Sequence, residues 1–342
     1  MRSKTVWIGV GILALLAGAV TEPVAGPKPV RINLGTLAPR GSAYHKSLQK
    51  LAEDWGKTPD GGVKLVVYPD GAQGSEADMV RLMRSGTLHA GLITGVGLAE
   101  IEPGVSGLQN LPMMFHDYAE YDYVSQRVQP MLQKRMEAAG FVVLFWGDTG
   151  WVHYFTRSPM RVPEDLKKLK SFVWGGGTGQ IDIMKKAGYN PVALEPTDII
   201  PGLQTGMIDS VTVPPIYALS TQIDTRAQNM LQVNWAILVG ACVVTREAWD
   251  RIPESARAAV IEAANKAGNE MRTVGRNEAA EAIAAMQKRG LKVIVPDAAL
   301  EAQWRTAAES TYHDIKGTVV PADIFEEVEK LIKEFRAKNK PN

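Results

Sequence analysis

Five consecutive stretches near the start of the chain set its architecture: VRINLGTL (30–37), AYHKSLQKLAEDW (43–55), VKLVVY (63–68), EADMVRLMRS (76–85) and HAGLIT (89–94). The first, third and fifth are short and apolar, and they end in turn residues, so they read as strands. The second puts Leu48, Leu51, Ala52 and Trp55 on one face. The fourth puts Met79, Leu82 and Met83 inward, the spacing of an amphipathic helix. Ser75 and Asp78 form an acidic capping box ahead of it, and Gly86 supplies the stop. Continuous apolar strands alternating with helices predict a β-α-β-α-β unit, a buried parallel sheet covered by helices.

The rhythm then repeats. A helix is expected over 119–139, ended by Gly140, and a strand over Phe141–Gly147. The pattern restarts at Trp151 with a strand-like His153–Thr156 and a short helical turn at 162–165. Strands follow at Lys170–Trp174, Asn190–Leu194 and Ile208–Val213, with helices over 180–187 and 196–206 between them. Gln232–Thr245 predicts a long strand, or two, returning to the first block and making that block discontinuous in sequence. Pro253–Met286 predicts a long helix or a helix pair. A strand at Leu291–Val295 and helices over 298–312 and 322–338 complete the chain, the last with a solvated Lys/Glu/Arg face.

Composition narrows the chemistry. The 342 residues are enough for two domains and a sizeable core, with 45% apolar and 22% charged residues. Lys and Arg number 38 against 37 Asp and Glu, a formal charge of +1, so no basic nucleic-acid surface is indicated. The single cysteine, Cys242, excludes an intramolecular disulfide and any multi-cysteine metal cluster. Five histidines are scattered without HExxH spacing, and there is no EF-hand, GxSxG or GxxxxGK motif. GGGTG (175–179) lies between a strand and a helix, where backbone amides can hold an anion, but its spacing is not GxGxxG and no lysine follows. It reads as a tight turn or a ligand-facing loop. No catalytic residue, no metal ligand and no cofactor is expected.

Arg2 and Lys4 precede an apolar run from Val6 to Ala19, closed by the small residues Ala17-Gly18-Ala19. This is the pattern of a secretory signal peptide cleaved after Ala19 to Ala25. The run falls short of the roughly 20 residues that span a bilayer. No cysteine follows it, so no lipid anchor is expected, and the exported chain is near neutral.

In open α/β sheets, ligands bind outside the carboxyl ends of the strands. That rule nominates Thr36, Ala38 and Thr94 in the first block, and Trp151, Glu195, Pro214 and Trp235 in the second. Phe172 and Trp174 are two apart in one strand, so they share a face. Aromatics at several strand ends suggest an apolar-walled cleft.

The ordered segments YPDGAQGSEADMVRLMRSGTLHAG (68–91), LPMMF (111–115), VPEDLKKLKSFVW (162–174), LQTGMIDSVTVPP (203–215) and AWDRIP (248–253) resemble the DctP-type substrate-binding proteins of TRAP (tripartite ATP-independent periplasmic) transporters, over about Pro29 to Phe335. The resemblance implies a two-lobed α/β periplasmic-binding-protein fold, type II-like, with a long helix spanning both lobes. It implies a monomeric periplasmic receptor that closes on a small-molecule ligand and delivers it to inner-membrane transporter subunits. Residues 1–25 would be the signal peptide, 26–149 and 240–280 lobe I, 150–239 lobe II, and 281–342 a C-terminal part packing across the lobes. The rival readings are a secreted enzyme on a two-lobe scaffold and a receptor feeding a sensor or a non-TRAP carrier.

The family's ligand clamp is rewritten here. An arginine that usually pairs with the ligand carboxylate aligns with Phe172, an asparagine before proline aligns with Val213, and an earlier arginine aligns approximately with His153. A carboxylate stripped of water needs charge-assisted donors, which Phe172 and Val213 do not supply. Either the ligand carries substantial apolar surface, or the loop has shifted and Arg40 or Arg157 takes the arginine's place.

Overall fold

The computed structural model describes residues 28–59, 62–175 and 178–339. The expected signal peptide, the Asp60-Gly61 turn and Gly176-Gly177 lie outside the described residues. Among the described residues nine strands form one mixed sheet: β1 (Val30–Thr36), β2 (Val63–Tyr68), β3 (Ala90–Thr94), β4 (Phe141–Thr156), β5 (Lys170–Trp174), β6 (Asn190–Leu194), β7 (Ser210–Val213), β8 (Asn229–Thr245) and β9 (Lys292–Ile294). The order is β2-β1-β3-β8-β4-β7-β5-β6, with β9 alongside β8.

The centre of the sheet is an antiparallel pair, β4 of 16 residues and β8 of 17, in register from Phe141 opposite Thr245 to Thr156 opposite Asn229. At about 3.3 Å per residue such a ribbon is roughly 50 Å long. The parallel block β2-β1-β3 attaches at one end, with Ala90 opposite Val244 and Thr94 opposite Gly240. The block β7-β5-β6 attaches at the other end, with Ser210 opposite Thr156 and Val213 opposite His153. Both blocks therefore run with their carboxyl ends toward the middle of the ribbon.

Local sequence explains most boundaries. The helix Ala43–Trp55 is capped by Ser42, whose side chain accepts from the His45 amide at 3.3 Å. The Ser75–Asp78 box caps the helix Glu76–Arg84 as its spacing predicts. The helix Ile199–Thr205 ends at Gly206, which takes the left-handed conformation with φ 72°. Two expectations need correction. Phe141–Gly147 and His153–Thr156 are not separate strands but one, because a bulge carries the chain through Gly150, at φ +81°, without breaking the pairing. Gln232–Thr245 likewise belongs to one longer strand, which starts at Asn229.

The expected long helix is a pair, Glu254–Asn277 and Ala279–Lys288. The first member packs on the helix Ala43–Trp55 and on β4, and the second on the helix Pro215–Ser220 at the other end of the ribbon. Small residues let the first lie close to the sheet: Ala256, Ala264, Ala267, Gly268 and Gly275 are all buried. Trp55 is fully buried beside it and donates to the Val260 carbonyl at 3.1 Å. Cys242 is buried in β8 opposite Leu92 and Phe145, and burial pushes its thiol up to about 12. The C-terminal helix Ala322–Lys338 packs on the helix Tyr118–Ala138, where Arg336 binds the buried Glu120 at 2.6 Å. Among the described residues no helix is long and apolar enough to cross a membrane.

A Cβ at Gly268 would fall 2.5 Å from the Phe145 ring. Gly268→Ala is therefore expected to lower stability by about 1–3 kcal/mol through overpacking, read from urea denaturation midpoints. A neutral effect would mean that the helix stands farther from β4 than described.

Candidate ligand-binding cleft

Because the two parallel blocks point their carboxyl ends at each other, the residues just past those ends meet over the ribbon. Thr36 ends β1, with Leu37, Ala38 and Pro39 after it, and Thr94 ends β3. Across from them stand Trp174 at the end of β5, Val213-Pro214 at the end of β7, and Pro196 after β6. The floor is the ribbon itself, Gly147-Asp148-Thr149 of β4 and Leu238-Val239-Gly240 of β8. Together they line a cavity of about 140 Å³, whose remaining walls include Tyr44, Phe145, Ile199, Tyr217 and Met271. A second cavity of about 150 Å³ adjoins it, lined by Tyr154, Leu166, Phe172, Ile183, Met184, Tyr189 and Trp235 among others. Trp174, Thr212 and Leu238 line both.

The electrostatics of the first cavity are unusual for a site that would hold an acid. No arginine, lysine or histidine lines either cavity among the described residues. Two carboxylates do line the first, and both are already engaged. Glu76 is buried and accepts from the Thr94 amide at 2.7 Å, the Thr94 hydroxyl at 2.6 Å and the Gly97 amide at 3.0 Å. Burial pushes its pKa up, against the pull of those donors. Asp148 is held by Arg276 through Nε at 3.0 Å and Nη2 at 2.7 Å, and Arg276 also grips Asp122 at 2.7 and 2.8 Å. The same guanidinium lies 4.4 Å from the Tyr118 ring centre. The phenols stay protonated: burial, with Asp148 next, pushes Tyr44 up, and burial pushes Tyr217 up to about 12. Tyr44 and Thr149 line the first cavity, and their hydroxyl oxygens, buried from solvent, have no hydrogen-bond partner among the described residues. No group of His, Cys, Asp and Glu among those residues can hold a metal ion.

Thr36, Ala38, Thr94, Val213 and Pro214 line the first cavity, Trp174 both, and Phe172 and Trp235 the second. Phe172 and Trp174 do share a face, with ring centres 6.0 Å apart. Their roles differ: Phe172 is only 6% exposed and belongs to the core with Phe155, Leu203 and Val211, while Trp174 is half-buried at its edge. Trp151, His153 and Glu195 line neither cavity. Trp151 packs on Tyr118, with ring centres 5.5 Å apart. His153 is buried and donates from Nδ1 to the Val233 carbonyl at 2.8 Å, and burial pushes its pKa down. Glu195 sits against Gly175 at the turn into Pro196. Neither Arg40 nor Arg157 reaches a cavity; Arg40 pairs with Asp70 at 3.3 Å and Arg157 with Asp209 at 3.4 Å. The strand-end rule missed Tyr44, Glu76, Thr149 and Tyr217. The position of Tyr44, in the first turn of the helix after β1, was a usable signal; the bulge that carries Thr149 reads in the local sequence as a turn, because Gly147 and Gly150 flank it.

A family model described as bacterial extracellular solute-binding protein, family 7 (DctP), matches residues 34–317. The chain is 24% identical over 282 residues to the C4-dicarboxylate-binding periplasmic protein DctP of Rhodobacter capsulatus, covering 81% of this chain and 82% of that one. It is 24% identical over 284 residues to the 2,3-diketo-L-gulonate-binding periplasmic protein YiaO of Escherichia coli K12, covering 82% and 85%. Among solved structures, a TRAP periplasmic solute binding protein from Ralstonia eutropha H16 with bound (S)-2-acetolactate superposes with a TM-score of 0.82 at 21% identity, over 89% of this chain and 99% of that one. The likeness places the mixed α/β sheet in the two-lobed binding-protein fold.

Two variants separate core from wall. Phe172→Ala should cost about 3–5 kcal/mol of apo stability, as for a buried aromatic. Trp174→Ala should cost much less, and equal losses would place both rings in the core. Glu76 gives a pH test. Its folded pKa lies above the ordinary 4.5, so its stabilising contribution is complete below that pH and is lost as pH rises through the folded value. Urea titrations between about pH 4 and pH 8 should show wild type losing stability relative to Glu76→Gln as pH rises; a pH-independent difference would contradict the shift.

Proposed function

The chain belongs to the DctP family of bacterial extracellular solute-binding proteins, family 7, and we propose that it is the periplasmic receptor of a TRAP-type transporter, selective for a small organic ligand with substantial apolar surface and performing no chemistry on it. The observation that carries the ligand class is the lining of the first cavity: mostly apolar walls with neutral hydroxyl side chains among them, two carboxylates with partners of their own, and no cationic side chain among the described residues. A carboxylate brought into that cavity would lose water without gaining a charged donor, at a cost of several kcal/mol. An apolar ligand surface gains about 25 cal/mol for each Å² buried there. At the positions where the resemblance implies a carboxylate clamp, this chain carries Phe172, Val213 and His153.

Capture works by closure of two lobes, 26–149 with 240–280 and 150–239, the segment 281–342 packing across them. Three connections link the two ends of the ribbon: β4 at its bulge, β8 beside it, and the junction between the helices Glu254–Asn277 and Ala279–Lys288. Bending at these points brings Trp174 and Pro214 toward Ala38 and Thr94 and removes the ligand from water. The closed form is the one recognised by the membrane subunits.

Thermal-shift screening tests the ligand class. A ligand at 100 times its Kd adds about 2.7 kcal/mol of stability. Neutral hydrophobic compounds should raise Tm, whereas C4-dicarboxylates and simple keto acids should not. The opposite pattern would overturn this reading.

A further inference from the structure

We propose that Met113 is a positioning residue of the cleft: it pins the connector 109–115 of the first lobe into the core of the second, beside β8, and so fixes the angle between the walls that meet on a ligand. This rests on the two-lobe closure proposed above and names the side chain about which the lobes are held.

The burial of LPMMF (111–115) is that of a chain shared between two cores. Leu111, Met114 and Phe115 are buried with Leu98, Tyr121 and Val124 of the first lobe. Met113 is buried in a different cluster, with Tyr154, Met160, Leu231, Leu300 and Trp304. Every other member of that cluster comes from residues 154–235 or 294–308, so Met113 is the first lobe's one contribution to it among the described residues.

The backbone is held in an unfavourable form to achieve this. Met113 has φ +53°, in the left-handed region. A Cβ makes that conformation costly, and such residues persist where the surroundings over-determine them. Here they do. The Met113 amide donates to the Trp235 carbonyl of β8 at 2.6 Å. Three successive carbonyls, those of Pro112, Met113 and Met114, accept from Tyr312 Oη at 2.7 Å, Arg305 Nη1 at 2.6 Å and Arg336 Nη2 at 2.9 Å. Each donor stands on a different C-terminal helix, Tyr312–Ile315, Ala298–Glu309 and Ala322–Lys338. A turn that only joined two elements would be made without strain by glycine; a buried methionine at this position is explained by where its side chain goes.

The pin lies where β8 passes between the lobes. Gln109 Oε1 accepts from the Val239 amide at 3.0 Å, four residues along β8 from Trp235. The connector is therefore tied at both ends of the last stretch of β8 before the lobe boundary at 240. Gln109, Asn110, Pro112 and Trp235 also line the second cavity. Brace and wall are one piece of chain, so a change of lobe angle at β8 moves the wall. An unbranched thioether re-packs readily, which lets the side chain stay buried while the lobes bend about it.

The test is hydrogen exchange by mass spectrometry, on the protein with no added compound. It is read at 147–150 in the bulge of β4 and at 277–279 in the helix junction, two bending points outside the connector and β8. Met113→Ala should speed exchange at both by about tenfold, the equivalent of ~1.4 kcal/mol in opening free energy. Met160→Ala removes the same side chain from the same core and should leave both at the wild-type rate. Arg305→Gln, which takes a donor from the Met113 carbonyl, should shift both in the direction of Met113→Ala. Melting curves check that each variant is folded; if Met113→Ala is not, Arg305→Gln against Met160→Ala decides. Unchanged exchange in Met113→Ala, or an equal rise in Met160→Ala, would make Met113 ordinary packing and overturn the pin, leaving the receptor standing. Wild-type protection at both segments as high as at 142–144 near the end of the ribbon, and moved by no variant, would overturn the lobe closure as well.

Discussion

Everything in this protein hangs on the hydrogen-bond ladder between β4 and β8. Among the described residues the two strands are the only ones long enough to belong to both ends of the sheet, and their antiparallel register orients the blocks beside them. β3 joins antiparallel to β8 and β7 antiparallel to β4, so the two parallel blocks must run toward each other. A cleft between facing carboxyl ends follows from that pairing rather than from any special residue. The bulge around Asp148–Trp151 occurs where the ladder has no block beside it, which is also where the cleft floor needs to turn and present Thr149.

The fold was largely legible in the sequence because its signals are local. The strand Lys170–Trp174 and the helices Ala43–Trp55 and Ala322–Lys338 have the boundaries their periodicity and caps predict. The continuity of β4 was not legible, since Gly147, Gly150 and the polar pair between them look like a turn, and only the partner strand keeps them extended. The cleft was partly legible for the same reason. Thr36, Ala38, Thr94, Trp174 and Val213 are strand ends, visible one strand at a time. Trp151 and His153 also sit near an expected strand start, but they lie inside the continuous ribbon, where Tyr118 and the Val233 carbonyl occupy them.

Charge is handled in an economical way around the cleft. The one strongly buried acid on its floor, Asp148, is answered by Arg276 from the helix behind it, and that guanidinium reaches on to Asp122 and the Tyr118 ring. The arginine faces Asp148, so its positive charge is spent inside the scaffold and none of it is offered to a ligand. Glu76 is satisfied by the backbone and hydroxyl at the end of β3 in the same self-contained manner. What else lines the first cavity is neutral: the hydroxyl-bearing Thr36, Tyr44, Thr149, Thr212 and Tyr217, and a wall of hydrocarbon and aromatic carbon.

The position of Cys242 has a practical corollary. It is the chain's sole sulfhydryl, sealed in the middle strand with no exposure and with ionisation held far above neutral pH. Maleimides and nitroxide reagents attack the thiolate of an accessible cysteine, so this one is silent toward them. A pair of cysteines introduced on opposite rims can carry a donor and an acceptor dye without first removing the native one, and the distance between the rims of individual molecules can be followed in time.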